Sequence, residues 1–382
     1  MQIQRANGIV HSVSSPNSES TLEELRESAL EHLLSLRVFR DDGTALFRAS
    51  DGSDNLQYRN AWFRDNIHVI RGLMAIGYFS LVDKIWSGLF ETLRKYENVM
   101  DNIISDPSSY SNNNCLPPRV VPETLERVPG DWTDTQEPQW LGELLSESAA
   151  WISGLRDETK ANTYRRLYSK SAEYLIAIGC FDGLFSNAWE EEPLDVYTSN
   201  IAASLTGLKT AKQSGVFVPN HIIEYGEKKL EERLNPLCES STRNLDLSLF
   251  WLVNVYNVVS KDMGDKIVSQ LINGLGTQDV IQLDLGRPRY DGDVYPGLDD
   301  PDHNSLPPHS VPEGLWTMYW TSLARYYASR QQQEPYANAL ETAINLRVDG
   351  KSVEQYVLNS KGIYEPRNPL AWADAQLLEA LK

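Results

Sequence analysis

Helical segments in this sequence are joined by connections that alternate between very short and very long. Apolar residues recur with helical spacing over roughly 21–36, 66–78, 80–97, 138–154, 157–178, 197–212, 219–234, 246–259, 261–274, 313–330, 333–346 and 369–381. The first of these opens at Thr21, with Glu24 placed for a capping box, and turns Leu25, Ala29, Leu33 and Leu36 toward one face. No stretch sustains a period of two, so strands should be few and short, and the class is all-α. Short turns near Phe79, Arg156, 214–218, Ser260 and Gln331 make antiparallel hairpins. Long segments cover 37–65, 98–137, 179–196, 235–245, 275–312 and 347–368. Five hairpins result, with the first and last helices left over. Pairing those two closes a ring of six, an (α/α)6 barrel or six-hairpin toroid, in which every long segment emerges at one end. An irregular helical bundle is the other arrangement with the same helices. Residues 1–19 are polar and Ser-rich and read as a loosely held arm, and 20–382 as one domain.

Charge narrows the partners. Fifty-three acidic residues against 35 basic ones give a formal charge of −18, a field that repels nucleic acid and anionic membrane. No apolar run is long enough to span a bilayer, and the first residues lack an apolar signal core. Cys115, Cys180 and Cys238 are odd in number and widely spaced, which reads as reduced thiols in a cytoplasmic protein. His303 and His309 share a loop with Asp299, Asp300 and Asp302, without the spacing of a dedicated zinc or calcium site. The expectation is no metal and no cofactor; nothing sets the oligomeric state, monomer or homo-oligomer.

Loops on a rigid scaffold carry sites, and the unusual residues collect in the six long segments. The first ends in Tyr58, Trp62, Arg64 and Asp65 at a helix start. The second carries Trp132 and Gln136. The third holds Trp189-Glu190-Glu191-Glu192, three acids beside an indole, and an acid packed on an apolar ring is a candidate proton donor. In the fourth, Asp246 reads as a helix cap paired with Arg243. The fifth contains Arg289, Asp293 and Tyr295, and the sixth Glu354, Tyr356 and, entering the last helix, Trp372. Aromatic faces stack on the C–H face of a pyranose, while guanidinium, amide and carboxylate groups pair with its hydroxyls. Two separated carboxylates supply the chemistry of glycosidic cleavage. The expected partner is therefore a small oligosaccharide.

These blocks resemble glycoside hydrolase family 15, the glucoamylases and their relatives, whose catalytic domain is an (α/α)6 barrel. Tyr58, Trp62, Arg64 and Asp65 match a Tyr-x-x-x-Trp-x-Arg-Asp block around the terminal glucose. Trp189-Glu190-Glu191 matches the block whose first Glu is the general acid. Arg289-Tyr290-x-x-Asp293-x-Tyr295 matches a block whose Arg binds substrate, and Glu354-Gln355-Tyr356 the block with the general base. Pro369-Leu370-Ala371-Trp372-Ala373 is similar to the block opening the last inner helix. Trp132-x-x-x-Gln136 fits a further block, with Pro138 standing where the family has Asp.

The resemblance implies an exo-acting, inverting α-glucoside hydrolase with Glu190 as acid and Glu354 as base. Tyr58, Trp62, Arg64, Asp65, Trp132, Gln136, Trp189, Glu191, Arg289, Tyr356 and Trp372 would bind the substrate. A short substrate, isomaltose among the candidates, suits the absence of a starch-anchoring module. Rival readings are a sugar-binding regulatory module like those of phosphorylase kinase large subunits, and another six-hairpin enzyme such as a trehalase or a phosphorolytic relative.

Overall fold

The computed structural model describes residues 19–52, 56–111, 114–128, 137–189, 194–276, 284–290, 293, 314–358 and 364–382. Helices dominate them. Six form an inner ring: α2 (Phe63–Ala75), α5 (Pro138–Ser153), α7 (Thr198–Gln213), α9 (Leu249–Asn254), α11 (Met318–Ser329) and α13 (Ala371–Ala380). Each packs on the next, and α13 packs back on α2. An outer helix backs each one: α3 (Phe79–Lys95), α6 (Glu158–Ala177), α8 (Asn220–Leu234), α10 (Lys261–Gly274), α12 (Gln333–Asn345) and, against α13, α1 (Glu19–Ser35). This is the (α/α)6 toroid, with the first and last helices paired.

Burial separates the two rings. Outer helix α3 buries Leu81, Val82, Ile85, Trp86, Leu89, Phe90 and Leu93 and exposes Asp83, Lys84 and Lys95, one apolar stripe facing inward. Inner helix α13 is buried nearly all round. Helices enclosed on every side need small residues where backbones cross. A Cβ on Gly142 of α5 would lie 2.5 Å from the Ala203 carbonyl of α7, and one on Gly207 would lie 2.5 Å from the Gly142 oxygen.

The sequence reading needs correction at several ends. The first helix begins at Glu19, so Thr21 lies inside it rather than opening it. The inner helix expected over 246–259 is only Leu249–Asn254, and Asn257 turns to a left-handed φ of 51°. The segment 98–137 contains a further helix, α4 (Glu97–Ser105), separated from α3 by Tyr96 and fixed to α6 through Glu97 with Arg166 and Lys170. Among the described residues, seven short strands also form. They are β1 (Arg37–Phe39) with β2 (Ala45–Phe47), β3 (Ala61–Trp62) with β4 (Arg119–Val120), and a three-stranded sheet. In that sheet β5 (Leu315–Trp316) pairs antiparallel with β6 (Val353–Leu358), and β6 with β7 (Tyr364–Pro369). Leu315 and Trp316, expected inside a helix, belong to β5; their partners are Tyr356 and Gln355. The expected arm lies almost wholly outside the described residues, as do His303, His309 and Asp299–Asp302. No described helix is long and apolar enough to cross a membrane.

Gly142→Ala should destabilise the fold by about 1–3 kcal/mol, because the methyl has no room without moving α7. Gly154→Ala, with no atom closer than 3.5 Å to the added carbon, should change stability by less than about 0.5 kcal/mol. Denaturant unfolding of both variants checks the pair; equal effects would contradict the packing.

Candidate active site

The long connections meet over the inner helices. The turn Leu56–Arg59 delivers Tyr58, which is buried and meets Trp62 of β3 edge to face, with ring centroids 5.7 Å apart. Pairing of β3 with β4 sets Arg119 across from Trp62, and the guanidinium lies 5.1 Å from its ring. The Tyr58 hydroxyl donates a long, bifurcated hydrogen bond to Glu354, 3.4 Å to Oε1 and 3.3 Å to Oε2. Glu354, 5% exposed, sits on β6, and its backbone oxygen accepts the Thr317 N–H at 3.1 Å just before α11 begins. The strand thus anchors this carboxylate to an inner helix entrance.

Arg64 and Asp65 open α2, and both are buried. A guanidinium without a partner is costly there. Glu137 supplies one at 2.9 Å, and Asp65 lies 3.6 Å away. Glu137 directly precedes Pro138, the position where the resemblance led us to expect Asp, so an acid one residue earlier serves this loop. Arg64 also lies 5.2 Å from the Trp372 ring, in the first turn of α13.

Trp372 belongs to a cluster of indoles that meet tilted or edge-on. Trp189 is 6.0 Å from it, 5.6 Å from Trp251 and 5.2 Å from Trp316. Arg289 lies over both Trp189 and Trp316, at 5.6 and 4.8 Å, the distances of cation–π contacts. Its fork is held by Asp293, Nε to Oδ2 at 3.0 Å and Nη2 to Oδ1 at 2.7 Å. Against the same cluster, His68 meets Trp251 and Trp372 and accepts at Nδ1 from Arg71 at 3.2 Å. Burial, then the charges of Arg71, Arg325 and Arg64, push its pKa well below the ordinary histidine value, so the imidazole is neutral.

Contacts therefore join Glu354, Tyr58 and Trp62 in one group, and Arg64, Trp372, Trp189 and Arg289 in a second that adjoins it through the chain between Trp62 and Arg64. Tyr356, two residues along β6 from Glu354, bonds outside both groups. Its hydroxyl donates to the Leu346 carbonyl at 2.9 Å, and burial pushes its pKa to about 12. Glu190, Glu191, Trp132 and Gln136 lie outside the described residues.

Sequence reasoning passed over Glu137, Arg119, His68, Trp251 and Trp316, none of which stands in a motif that it used. It also undervalued Asp246. That residue is not the cap that was expected, since α9 starts at Leu249 behind Ser248; instead its Oδ1 accepts the Ser248 N–H at 2.8 Å in the turn leading into the helix, and Arg243 is 3.7 Å away. Its oxygens also accept the Trp189 indole N–H at 2.9 and 3.1 Å. Beside it Glu239, wholly buried, accepts from the Ser199 hydroxyl at 2.5 Å and, more weakly, from its N–H. Burial, then the Asp246 charge, raises the Glu239 pKa.

No family model and no curated protein sequence matches the chain. Solved structures do. A glycosidase carrying a Glu-to-Ala substitution, in complex with glucose, matches with a TM-score of 0.70 at 17% identity, over 95% of this chain and 97% of that one. The glucoamylase of Hormoconis resinae matches at 0.62 and 14% identity, over 95% of this chain and 73% of that one. The fold is the glucoamylase fold. A bacterial glucoamylase complexed with acarbose matches at 0.59 and 18% identity, over 93% of this chain and 54% of that one.

A carboxyl whose folded pKa is raised stabilises in full below its unfolded value and loses that contribution as pH rises through the folded one. Glu239 should therefore weaken the fold as pH climbs from the ordinary glutamate range, 4.5, through its raised value, by at most about 1.4 kcal/mol per pH unit. Glu239→Gln, neutral throughout, should flatten that part of the profile. Urea midpoints at a series of pH values check this; superimposable profiles would contradict it.

Proposed function

We propose that the protein is a glycoside hydrolase, and within that class an exo-acting, inverting α-glucoside hydrolase. It releases β-glucose from the non-reducing end of short α-linked oligosaccharides. The observation that carries this reading is the Glu354 carboxylate, buried at an inner helix entrance and reached by the Tyr58 hydroxyl, whose ring meets the Trp62 indole. Aromatic faces there suit the C–H face of a pyranose. Arg64 and Arg289, each held by a carboxylate, suit its hydroxyls, since a fixed fork loses little freedom on pairing. That a glycosidase of the same fold holds glucose, and a glucoamylase of the same fold acarbose, supports a glucose site in this one.

In this reading Glu354 takes a proton from a water that attacks the anomeric carbon, and Glu190 gives one to the departing glycosidic oxygen. Inversion follows when the water enters opposite the leaving group. Tyr58, Trp62, Arg64, Asp65, Trp189, Arg289 and Trp372 hold the terminal glucose, with Glu191, Trp132 and Gln136 completing the mouth. Tyr356 contributes by holding β6 to the end of α12. No cofactor takes part.

Incubation with a panel of glucose disaccharides, with and without phosphate, tests the reading. Hydrolysis independent of phosphate is expected. Binding without turnover would favour a regulatory module, and phosphate-dependent cleavage a phosphorylase. Glu354→Gln and Glu190→Gln should each lower kcat by about 10²–10⁴ while glucose binding persists; near-normal kcat in either variant removes that residue from its role. A pocket shaped for short substrates gains little from extra units. The value of kcat/KM should thus stay flat or fall from disaccharide to heptasaccharide, and a steep rise would point to a starch-adapted enzyme instead.

A further inference from the structure

Asp246 joins three of the long connections. Its carboxylate accepts the Trp189 indole N–H through both oxygens, and Oδ1 accepts the Ser248 N–H as well. Its backbone bridges antiparallel to Tyr290, and the neighbouring Leu247 N–H donates to the Arg289 carbonyl at 2.7 Å. One residue thus fixes the indole on its side chain and the backbone of the guanidinium that covers that indole. The other rings of the cluster differ. Among the described residues, the indole nitrogens of Trp251 and Trp316 have no hydrogen-bond partner.

The turn into α9 alone does not call for this residue. A serine or asparagine makes such a turn as well, and Asp246 is wholly buried beside a second buried acid, Glu239, with Arg243 as the nearby cation. A charge in that position costs free energy, which the indole and Ser248 N–H bonds offset only if both are held in place. We propose that Asp246 is a positioning residue for the sugar site: it orients the Trp189 indole and, through that ring, the Arg289 guanidinium against the bound sugar. This rests on the reading of the mouth as a sugar site.

The test is a cycle of four full-length variants: Asp246→Ala, Trp189→Phe, the double variant and Asp246→Asn. Hydrolysis of the best disaccharide, calorimetric glucose affinity and near-UV circular dichroism of the tryptophan cluster are read at a temperature where far-UV spectra show each variant folded. A small misplacement of binding groups costs up to about 10²-fold. Asp246→Ala and Trp189→Phe should each lower kcat/KM by about 10–100-fold, and the double variant no further than the worse single, because both break one bond. Near-UV spectra should change alike in both. Asp246→Asn should recover most activity, since its one amide oxygen can still accept from Trp189 and Ser248. Losses that multiply overturn the proposal. So does an Asp246→Ala protein that melts earlier yet keeps normal kcat/KM and near-UV spectrum, the signature of a local turn alone. If the wild type binds glucose but cleaves nothing, hydrolysis fails as a reading, and the same cycle on glucose affinity decides the role of Asp246. A wild type that neither cleaves nor binds a sugar overturns both.

Discussion

The toroid closes because the first helix docks on the last. Five hairpins follow one another along the chain and need only short turns, but the sixth joins residues more than 340 positions apart, at the far entropic end of loop closure. A buried hydrogen bond of 2.5 Å between His32 of α1 and Asp374 of α13 marks the joint. Asp374 accepts the Ser352 N–H too, and Arg347 lies 3.5 Å away. The same carboxylate that seals the ring therefore steadies the segment leading into β6. The candidate base Glu354 lies two residues beyond Ser352, so ring closure and the placing of that carboxylate share one anchor.

Once the ring is closed, the connections before the inner helices have one place to go. Their side chains then face a shared problem, the burial of charge. Arg64 is neutralised by Glu137 and Arg289 by Asp293, while Asp246 accepts hydrogen bonds from the Trp189 indole and the Ser248 N–H with Arg243 3.7 Å away. Each bond links residues that a sugar site would use to others that hold them still. Rigidity of this kind lets a mouth built from loops keep the geometry that binding a pyranose requires.

Helix spacing made the architecture legible, because turn length reports whether neighbours pack antiparallel, and that relation survives errors at helix ends. α4 was hidden in a long connection: only Met100 and Ile103 of it are buried, a stripe too thin to stand out. The three-stranded sheet escaped because β5 is two residues long and runs straight into α11, so its apolar residues read as the helix's first turn. Within the site, residues in runs such as Tyr58 to Asp65 announced themselves. Glu137 and the second role of Asp246 did not. An ion pair across 73 residues and an indole bond across 57 leave no local periodicity to read.

The central claim is that a buried carboxylate on β6 drives water onto the anomeric carbon from the face opposite the leaving group. Stereochemistry reports this directly. Proton NMR of the first product from an α-linked glucose disaccharide, read before mutarotation, should show the β-glucose anomeric signal alone. Initial release of α-glucose would contradict the account.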